Sequence, residues 1–167
     1  IKQNQLQTLH LSLEPSPLQS IYQWWLQPFV PGTAVANLET GGEIGGQLDW
    51  QAGQLTLQTE LQQLNVSDTA GRFAINDLDG RFAWTSGTTS LPVDLSWQQV
   101  TLGALPVAAS QLQADVSENQ LTLRQTLELP LLDGALQIST FNYQFAPNDS
   151  RWQFEGLLKP LSMQALT

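Results

Sequence analysis

Residues 16–30 read SPLQSIYQWWLQPFV, the stretch of the chain whose apolar residues recur most clearly with helical spacing. Ser16 offers a hydroxyl acceptor for an N-cap, and Pro17 suits a first helical turn because its missing N–H would have no partner there. Pro28 is expected to distort the last turn, and Pro31-Gly32 to end the helix. The spacing predicts a helix over residues 17–30 with one apolar stripe, made of Leu18, Ile21, Tyr22, Trp25, Leu26 and Phe29.

A helix of this length is marginal alone in water, so its stripe is expected to dock on another part of the chain. We expect Gln19, Gln23 and Gln27 to face solvent on the opposite side. Trp24 falls away from the centre of the stripe, and two interpretations are open for it. It either widens the buried face or points outward to a membrane interface, a ligand or another part of the protein.

The rest of the chain alternates apolar and polar residues with the period of β-strands. Paired glycines around Glu43-Ile44 allow sharp bends and indicate a connector. The whole chain, residues 1–167, is predicted to be a single β-rich segment, and we expect it to be an internal fragment of a longer protein. Its parts are a strand at 5–13, the helix at 17–30, a connector at 31–46, an antiparallel meander at 47–158 and the start of a truncated helix at 160–167.

The alternation changes phase inside several strands. The apolar series that ends at Leu61 resumes at Leu64, and the residues between them are the expected β-bulge, which keeps both halves of the strand on one face. Repeated bulges are typical of curved sheets, so the predicted fold class is mainly β: a curved, strongly twisted antiparallel sheet, either an open groove or a partial barrel, with the helix docked on its apolar face. The same slip occurs between Trp97 and Val100, between Ala109 and Leu112, and between Ile138 and Phe141.

Asp79-Gly80 is compatible with two structures. The pair suits a tight hairpin turn, but it also suits the interior of one bulged strand that runs from Phe73 to Trp84.

The composition excludes several classes of function. The net charge is −9, and the six Lys and Arg residues are scattered, which argues against binding of nucleic acid. The absence of cysteine excludes disulfides, thiolate metal sites and cysteine nucleophiles. A Cys-free, acidic chain rich in glutamine and threonine is common among bacterial envelope proteins.

Few residues suggest chemistry. His10 is the one histidine, and no nucleophile motif accompanies it. Asp77 and Asp79 would share a face of a regular strand, but the other oxygen ligands of a calcium loop are missing around them. We therefore predict a protein that is not an enzyme and has no metal and no cofactor.

Several stretches of the sequence together resemble a known family. They resemble the AsmA-like envelope proteins of Gram-negative bacteria, in particular the YdbH branch, whose domain carries the label "dicarboxylate transport". The label finds no physical support here, since the scattered basic residues make no anion site. The stretches are PLQSIYQWWLQPF (17–29), GGEIGGQLDW (41–50), GQLTLQTELQQLNVSD (53–68), FAINDLDGRFAW (73–84), LPLLDGALQIS (129–139) and LLKPLSMQALT (157–167).

The resemblance implies a function outside catalysis. Proteins of this family are anchored in the inner membrane, extend across the periplasm, and form a long curved sheet, open like a taco, that shields lipid tails moving between the two membranes. The implied partners are phospholipid, flanking segments of the same chain and other envelope proteins. The alternative is a purely structural or interaction module in which the helix fills the concave face and no ligand binds.

A lipid groove requires an apolar face larger than the helix covers. We expect the groove to be lined by Leu55, Leu57, Leu61, Phe82, Trp84, Leu95, Trp97, Leu121, Leu123, Ile138 and Phe154.

Overall fold

A computed structural model describes residues 7–33, 35–145 and 150–160. The chain forms one sheet of twelve antiparallel strands, curved and ring-like without being a barrel, together with one short helix, which confirms the predicted fold class. The strands are β1 (Thr8–Pro17), β2 (Leu38–Gln51), β3 (Gln54–Asp68), β4 (Phe73–Thr85), β5 (Leu91–Trp97), β6 (Gln99–Leu102), β7 (Leu105–Val107), β8 (Ser110–Val116), β9 (Gln120–Leu123), β10 (Leu127–Leu131), β11 (Gly134–Gln144) and β12 (Arg151–Leu158).

The helical segment lies between β1 and β2 and is irregular. It begins as the α-helix α1 (Leu18–Ile21), continues as a π-helical turn at Tyr22–Leu26 and ends as a 3₁₀ turn at Gln27–Phe29. Because Pro28 has no N–H to donate to the carbonyl of the preceding turn, a regular α-helix cannot continue through this point. The distortion expected from Pro28 is therefore confirmed.

The predicted N-cap at Ser16 is wrong. Ser16 still belongs to β1, where it pairs with Ile44, and its hydroxyl donates to the carbonyl oxygen of Glu14 at 2.8 Å. Pro17 occupies the N-cap position instead, in an extended conformation and with no side-chain cap. The local hydrogen bond and the strand pairing together hold the Ser16 hydroxyl away from the helix N-terminus.

The predicted connector at 31–46 is wrong in its second half, because β2 already begins at Leu38. The glycines lie inside this strand and permit close pairing. A Cβ on Gly46 would clash with the backbone of Gln58 on β3, and Gly42 has a φ of 85° at a bulge opposite Gln63. The glycines that indicated sharp bends therefore serve strand contact and a bulge.

The strands form an antiparallel meander. We call each position across the sheet a row, which holds either one long strand or two shorter strands that lie end to end. β5 and β6 lie end to end beside β4, with Ser96 opposite Asp79 and Gln99 opposite Asn76. In the same way β7 and β8 form the next row, and β9 with β10 the row after it. Each half of a broken row pairs with a half of its neighbour, which is why the pairing path returns from β6 to β4.

A line of interruptions crosses the rows from β1 to β11, and we call it the bulge line. The predicted bulge between Leu61 and Leu64 is confirmed by a register shift and by the φ of 49° at Gln63. Two more predicted slips coincide with the break between β5 and β6 and with a register shift after Ile138. The slip predicted between Ala109 and Leu112 is misplaced, because Ser110 and Gln111 pair regularly in β8 and the interruption lies before them, at residues 108–109. The bulge line consists of Pro15, Gly42, Gln63, Asp77, Gln98, Ala109, Gln125 and Ser139.

Asp79-Gly80 lies inside β4, so the interpretation as one bulged strand is confirmed. The bulge itself lies at Asp77, whose φ is 50°. Two further predictions fall largely outside the described residues. They are the beginning of the first strand, at residues 5–6, and the truncated helix at 160–167, of which the structure describes Pro160 alone, without regular structure.

The fully buried apolar core is thin and lies around the middle rows. Val93 and Ala114 face each other across β5 and β8 and are 2% and 1% exposed. Larger apolar side chains of the sheet are mostly half-buried. The other buried apolar residues are Tyr22, Leu64, Ala83, Val107, Val116 and Ala135.

Gly80 lies where the backbones of β4 and β5 approach each other closely. A Cβ at this position would clash with the carbonyl oxygen of Asp94 on β5, and the φ of 132° is one that favours glycine. We predict that Gly80→Ala lowers the free energy of unfolding by about 3 kcal/mol or more, because backbone strain and steric overlap add. Urea unfolding measures the loss.

Gly71→Ala is the matched control. Gly71 also has a positive φ, 70°, but an added Cβ would meet no atom within 4 Å. We expect a loss of about 1 kcal/mol from backbone strain alone. Equal losses in the two variants would contradict the importance of close strand contact at Gly80.

Candidate functional site

One face of the sheet is apolar along its whole width. The strand register shows this, because residues directly opposite each other on neighbouring strands point to the same side. Leu11, Leu48, Leu57 and Trp84 form one such series across β1 to β4. A second series, Val116, Leu121, Tyr143 and Trp152, continues the same face from β8 to β12.

The bulge line preserves this face. Beyond it, Val66 pairs with Ile75, Ile75 with Val100 and Val100 with Val107, so the apolar series resumes on the same side of every row. In β3, β4 and β11, the strand beyond the bulge would turn its apolar side chains to the other side if the extra residue were missing. We call this continuous surface the apolar face.

The residues predicted to line a groove all lie on the apolar face. Ten of them are half-buried, and Phe154 on the edge strand β12 is exposed. Exposure rises toward both edges, where Leu11 is 51% and Trp152 is 69% exposed. The ten half-buried residues are Leu55, Leu57, Leu61, Phe82, Trp84, Leu95, Trp97, Leu121, Leu123 and Ile138.

No second layer covers the apolar face within residues 7–33, 35–145 and 150–160, because every strand belongs to the same sheet. The helical segment contacts the ends of β1 and β2 and does not extend over the face. The apolar face is buried at Val93, Val107 and Val116 in the middle rows of the curved sheet, and it is half-buried or exposed over most of its remaining area.

The predicted docking of the helix stripe is wrong for its second half. Tyr22 is buried and Leu18 and Ile21 are half-buried, but Trp25, Leu26 and Phe29 are 73%, 50% and 82% exposed. The π turn changes the angular spacing of the residues, so the apolar side chains no longer form one stripe. Gln19, Gln23 and Gln27 are exposed as expected.

Tyr22 holds the helical segment in this position. Its hydroxyl donates to the carbonyl oxygen of Val35 at 2.8 Å and accepts from the N–H of Leu38 at 3.1 Å. The phenol therefore joins the segment to the residues that lead into β2. Sequence reasoning placed Tyr22 in an apolar stripe and missed this role, since the partners of the hydroxyl are set by tertiary contact.

The opposite face of the sheet is polar, and ion pairs cross its strands. Arg124 contacts Asp94 of β5 at 2.5 Å and Asp115 of β8 at 3.3 Å, so one guanidinium joins two rows. A depression of about 420 Å³ is lined by residues of both faces, among them Glu60 from the polar face and Phe82 from the apolar face.

The candidate catalytic residues have structural partners. His10 Nδ1 lies 2.5 Å from Asp49 Oδ1 on the polar face, and both side chains are exposed. Asp79 accepts the backbone N–H of Gln63 at 2.8 Å and so supports the bulge of β3, while the N–H of Asp77 donates to Asn65. Among the described residues, no group of three or more His, Cys, Asp or Glu side chains could hold a metal ion.

Comparison with known proteins finds no matching family model, no similar curated protein and no similar solved structure. In the described part of the chain, no helix is long and apolar enough to span a membrane.

One buried carboxylate departs from ordinary titration. The side chain of Asp68 is 1% exposed and contacts Arg72 Nε at 2.6 Å, at the turn between β3 and β4. The hydrogen bonds from the Arg72 guanidinium hold the pKa of Asp68 well below its usual range, against the opposing effect of burial. Asp68 thus stabilises the turn in its charged form.

This pair predicts a pH dependence. Since the pKa is lower in the folded state, the carboxylate contributes stability above its unfolded pKa of about 4 and loses this contribution as the pH falls toward the folded value. We expect Asp68→Asn to lower the melting temperature clearly at pH 7 and progressively less below about pH 4. Thermal unfolding followed by circular dichroism measures the difference.

Asp115→Asn serves as a control, because Asp115 belongs to a partly exposed ion pair. This substitution should change the melting temperature little at both pH 7 and pH 3. A deficit in Asp68→Asn that stays constant from pH 7 to pH 3 would contradict the proposed role of the charged carboxylate.

Proposed function

We propose that this chain is a non-enzymatic segment of an AsmA-like protein of the Gram-negative envelope, and that its apolar face shields phospholipid tails on their way between the inner and outer membranes. The full-length protein would be anchored in the inner membrane and lie in the periplasm. The observation that carries the proposal is an apolar face that runs through every row of the sheet and is covered by no other element in the described residues.

The cost of leaving apolar surface in water favours binding of a ligand on this face. Each Å² of apolar surface left in water costs about 25 cal/mol relative to burial, and soluble monomers rarely expose contiguous apolar patches above a few hundred Å². Leucine and tryptophan side chains of the face, such as Leu57 and Trp84, are only half-buried. A ligand that covers them recovers this free energy.

The dimensions suit acyl chains. At about 3.3 Å per residue, the 14 residues of β2 extend over about 45 Å, and rows about 4.8 Å apart add a comparable width. The tails of one lipid leaflet need about 15 Å, half of a hydrocarbon core of about 30 Å. The face has room for more than one tail.

The chemistry of the face also favours lipid over a small polar ligand. Small-molecule sites combine apolar walls with a few convergent polar groups that fix orientation. The ion pairs described above, His10 with Asp49 and Arg124 with Asp94 and Asp115, lie on the opposite face. A surface that binds by hydrophobic contact alone suits an acyl chain that moves along it, while the lipid headgroup would stay in water.

A structural or interaction module is the second proposal. The helical segment contacts the ends of two strands and leaves the apolar face open, which removes the support for a helix that fills the face. The sheet edges still favour interaction, because within the described part of the chain β1 pairs with β2 alone and β12 with β11 alone. Flanking segments of the same chain could add strands at these two edges.

A fluorescent probe on either side of one strand tests the lipid proposal. The chain contains no cysteine, so one introduced cysteine is a unique labelling site. Leu57→Cys places a polarity-sensitive fluorophore on the apolar face, and Gln58→Cys is the matched control on the polar face of the same strand. With added palmitoyl lysophosphatidylcholine below its micelle concentration, we expect a blue shift of emission at position 57 and none at position 58.

The competing outcomes separate the two proposals. If the protein remains folded and the emission shifts at neither position, this result would contradict the lipid proposal and favour the interaction module. Equal shifts at both positions would indicate unspecific adsorption and would also count against a lipid-binding face. Native mass spectrometry of the unlabelled chain gives an independent measure of bound lipid.

A further inference from the structure

The helical segment and the loop after it present a second apolar surface, separate from the apolar face. Five large apolar side chains are exposed there, and we call them the apolar tip. Trp24 is 77% and Phe29 82% exposed, which are high values for aromatic residues in a folded protein. The members of the apolar tip are Trp24, Trp25, Leu26, Phe29 and Val35.

The sequence around the apolar tip carries no charge. Between Glu14 and Glu39 there is no Asp, Glu, Lys, Arg or His, although the chain as a whole has a net charge of −9. A protein surface in water usually mixes charged side chains among its apolar ones. The absence of charge over this whole stretch means that the apolar tip can enter a non-polar medium without desolvating an ion.

The apolar tip is held in place by its own hydrogen bonds. Tyr22 joins the helical segment to Val35 and Leu38, and Gln27 Nε2 donates to the carbonyl oxygen of Ala36 at 3.3 Å. The return loop is closed further by the Thr33 hydroxyl, which donates to the Val30 carbonyl oxygen at 2.8 Å. Because these polar groups are paired within the tip, inserting it into an apolar phase leaves few of them unsatisfied.

The directions of the side chains distinguish a bilayer from a protein groove. Trp24, Trp25 and Leu26 are consecutive, so they span about half of the helix circumference or more, at about 100° per residue in an α-helix and somewhat less in a π turn. A helix that binds in a groove presents one stripe at spacings of three and four residues. Apolar side chains that project in several directions suit a fluid environment that surrounds them.

We propose that the apolar tip inserts into the interfacial region of a phospholipid bilayer. The indole rings would lie at the headgroup level, where an apolar ring and a polar N–H are both accommodated. Since the tip contains no cationic residue, binding rests on apolar contact and aromatic anchoring, without attraction to anionic lipid. This inference does not require the apolar face to hold lipid, so the two proposals stand on separate observations.

Vesicle flotation tests the proposal. The wild-type chain should float with vesicles of zwitterionic phosphatidylcholine, and the double variant Trp24→Gln/Trp25→Gln should bind about tenfold more weakly or worse, a loss that corresponds to about 1.4 kcal/mol. Binding of the wild type should be unchanged between low and high salt, because no charge takes part. Both tryptophans are exposed, so circular dichroism of the variant should match that of the wild type.

Leu157→Gln is the matched control. Leu157 is 62% exposed on β12, where it pairs with Gln137 on the polar face, so it belongs neither to the apolar tip nor to the apolar face, and its replacement should leave flotation unchanged. An equal loss in this control would show adsorption through any exposed apolar residue and would overturn the proposal.

Two other results would also overturn it. One is a folded wild-type chain that does not float. The other is a dimer, detected by light scattering, that Trp24→Gln/Trp25→Gln converts to monomer, because the tip would then cover a second copy of the chain. The probe at position 57 keeps the proposals apart: it should respond to lysophosphatidylcholine in the double variant even when flotation is lost.

Discussion

The side-to-side separation of apolar and polar residues in a single sheet is the constraint on which the rest of this structure depends. A single sheet has no second layer to bury its apolar side, so the alternation must hold along every strand for that side to exist at all. The bulge line makes this possible in strands long enough to bend. At Gln63 and Asp77 a positive φ accommodates the extra residue, and Asp79 accepts the N–H of Gln63 so that the interruption does not leave a donor unpaired.

This arrangement shifts the source of stability away from a packed interior. The fully buried apolar side chains of the sheet are few and mostly small, as at Val93 and Ala114. Strand pairing and cross-strand side-chain contacts therefore contribute a large share of the stability. Glycine at positions 46 and 80 allows neighbouring backbones to approach where a Cβ would collide with them.

The same logic connects the two apolar surfaces. The apolar face is broad, spread through all rows and half-exposed, which suits extended lipid tails. The apolar tip is compact, aromatic and uncharged, and it lies at the end of β1 and β2. Exchange of lipid between a membrane and a protein requires one surface that holds the lipid tails and another that contacts the bilayer. The two surfaces together would meet both requirements, and each can be tested without the other.

The sequence by itself determined the fold class, the polarity of the two faces and the positions of three of the four predicted bulges, because these follow from local spacing of apolar residues with a period of two. It also determined which residues lie on the apolar face, from Leu55 to Phe154. Only the tertiary structure decided where the helical segment lies. Its position depends on the contacts of the Tyr22 hydroxyl with Val35 and Leu38, which no local pattern reports. The extent of β2 through its glycines was likewise a tertiary outcome, since those glycines are explained by the backbone of β3 that approaches them.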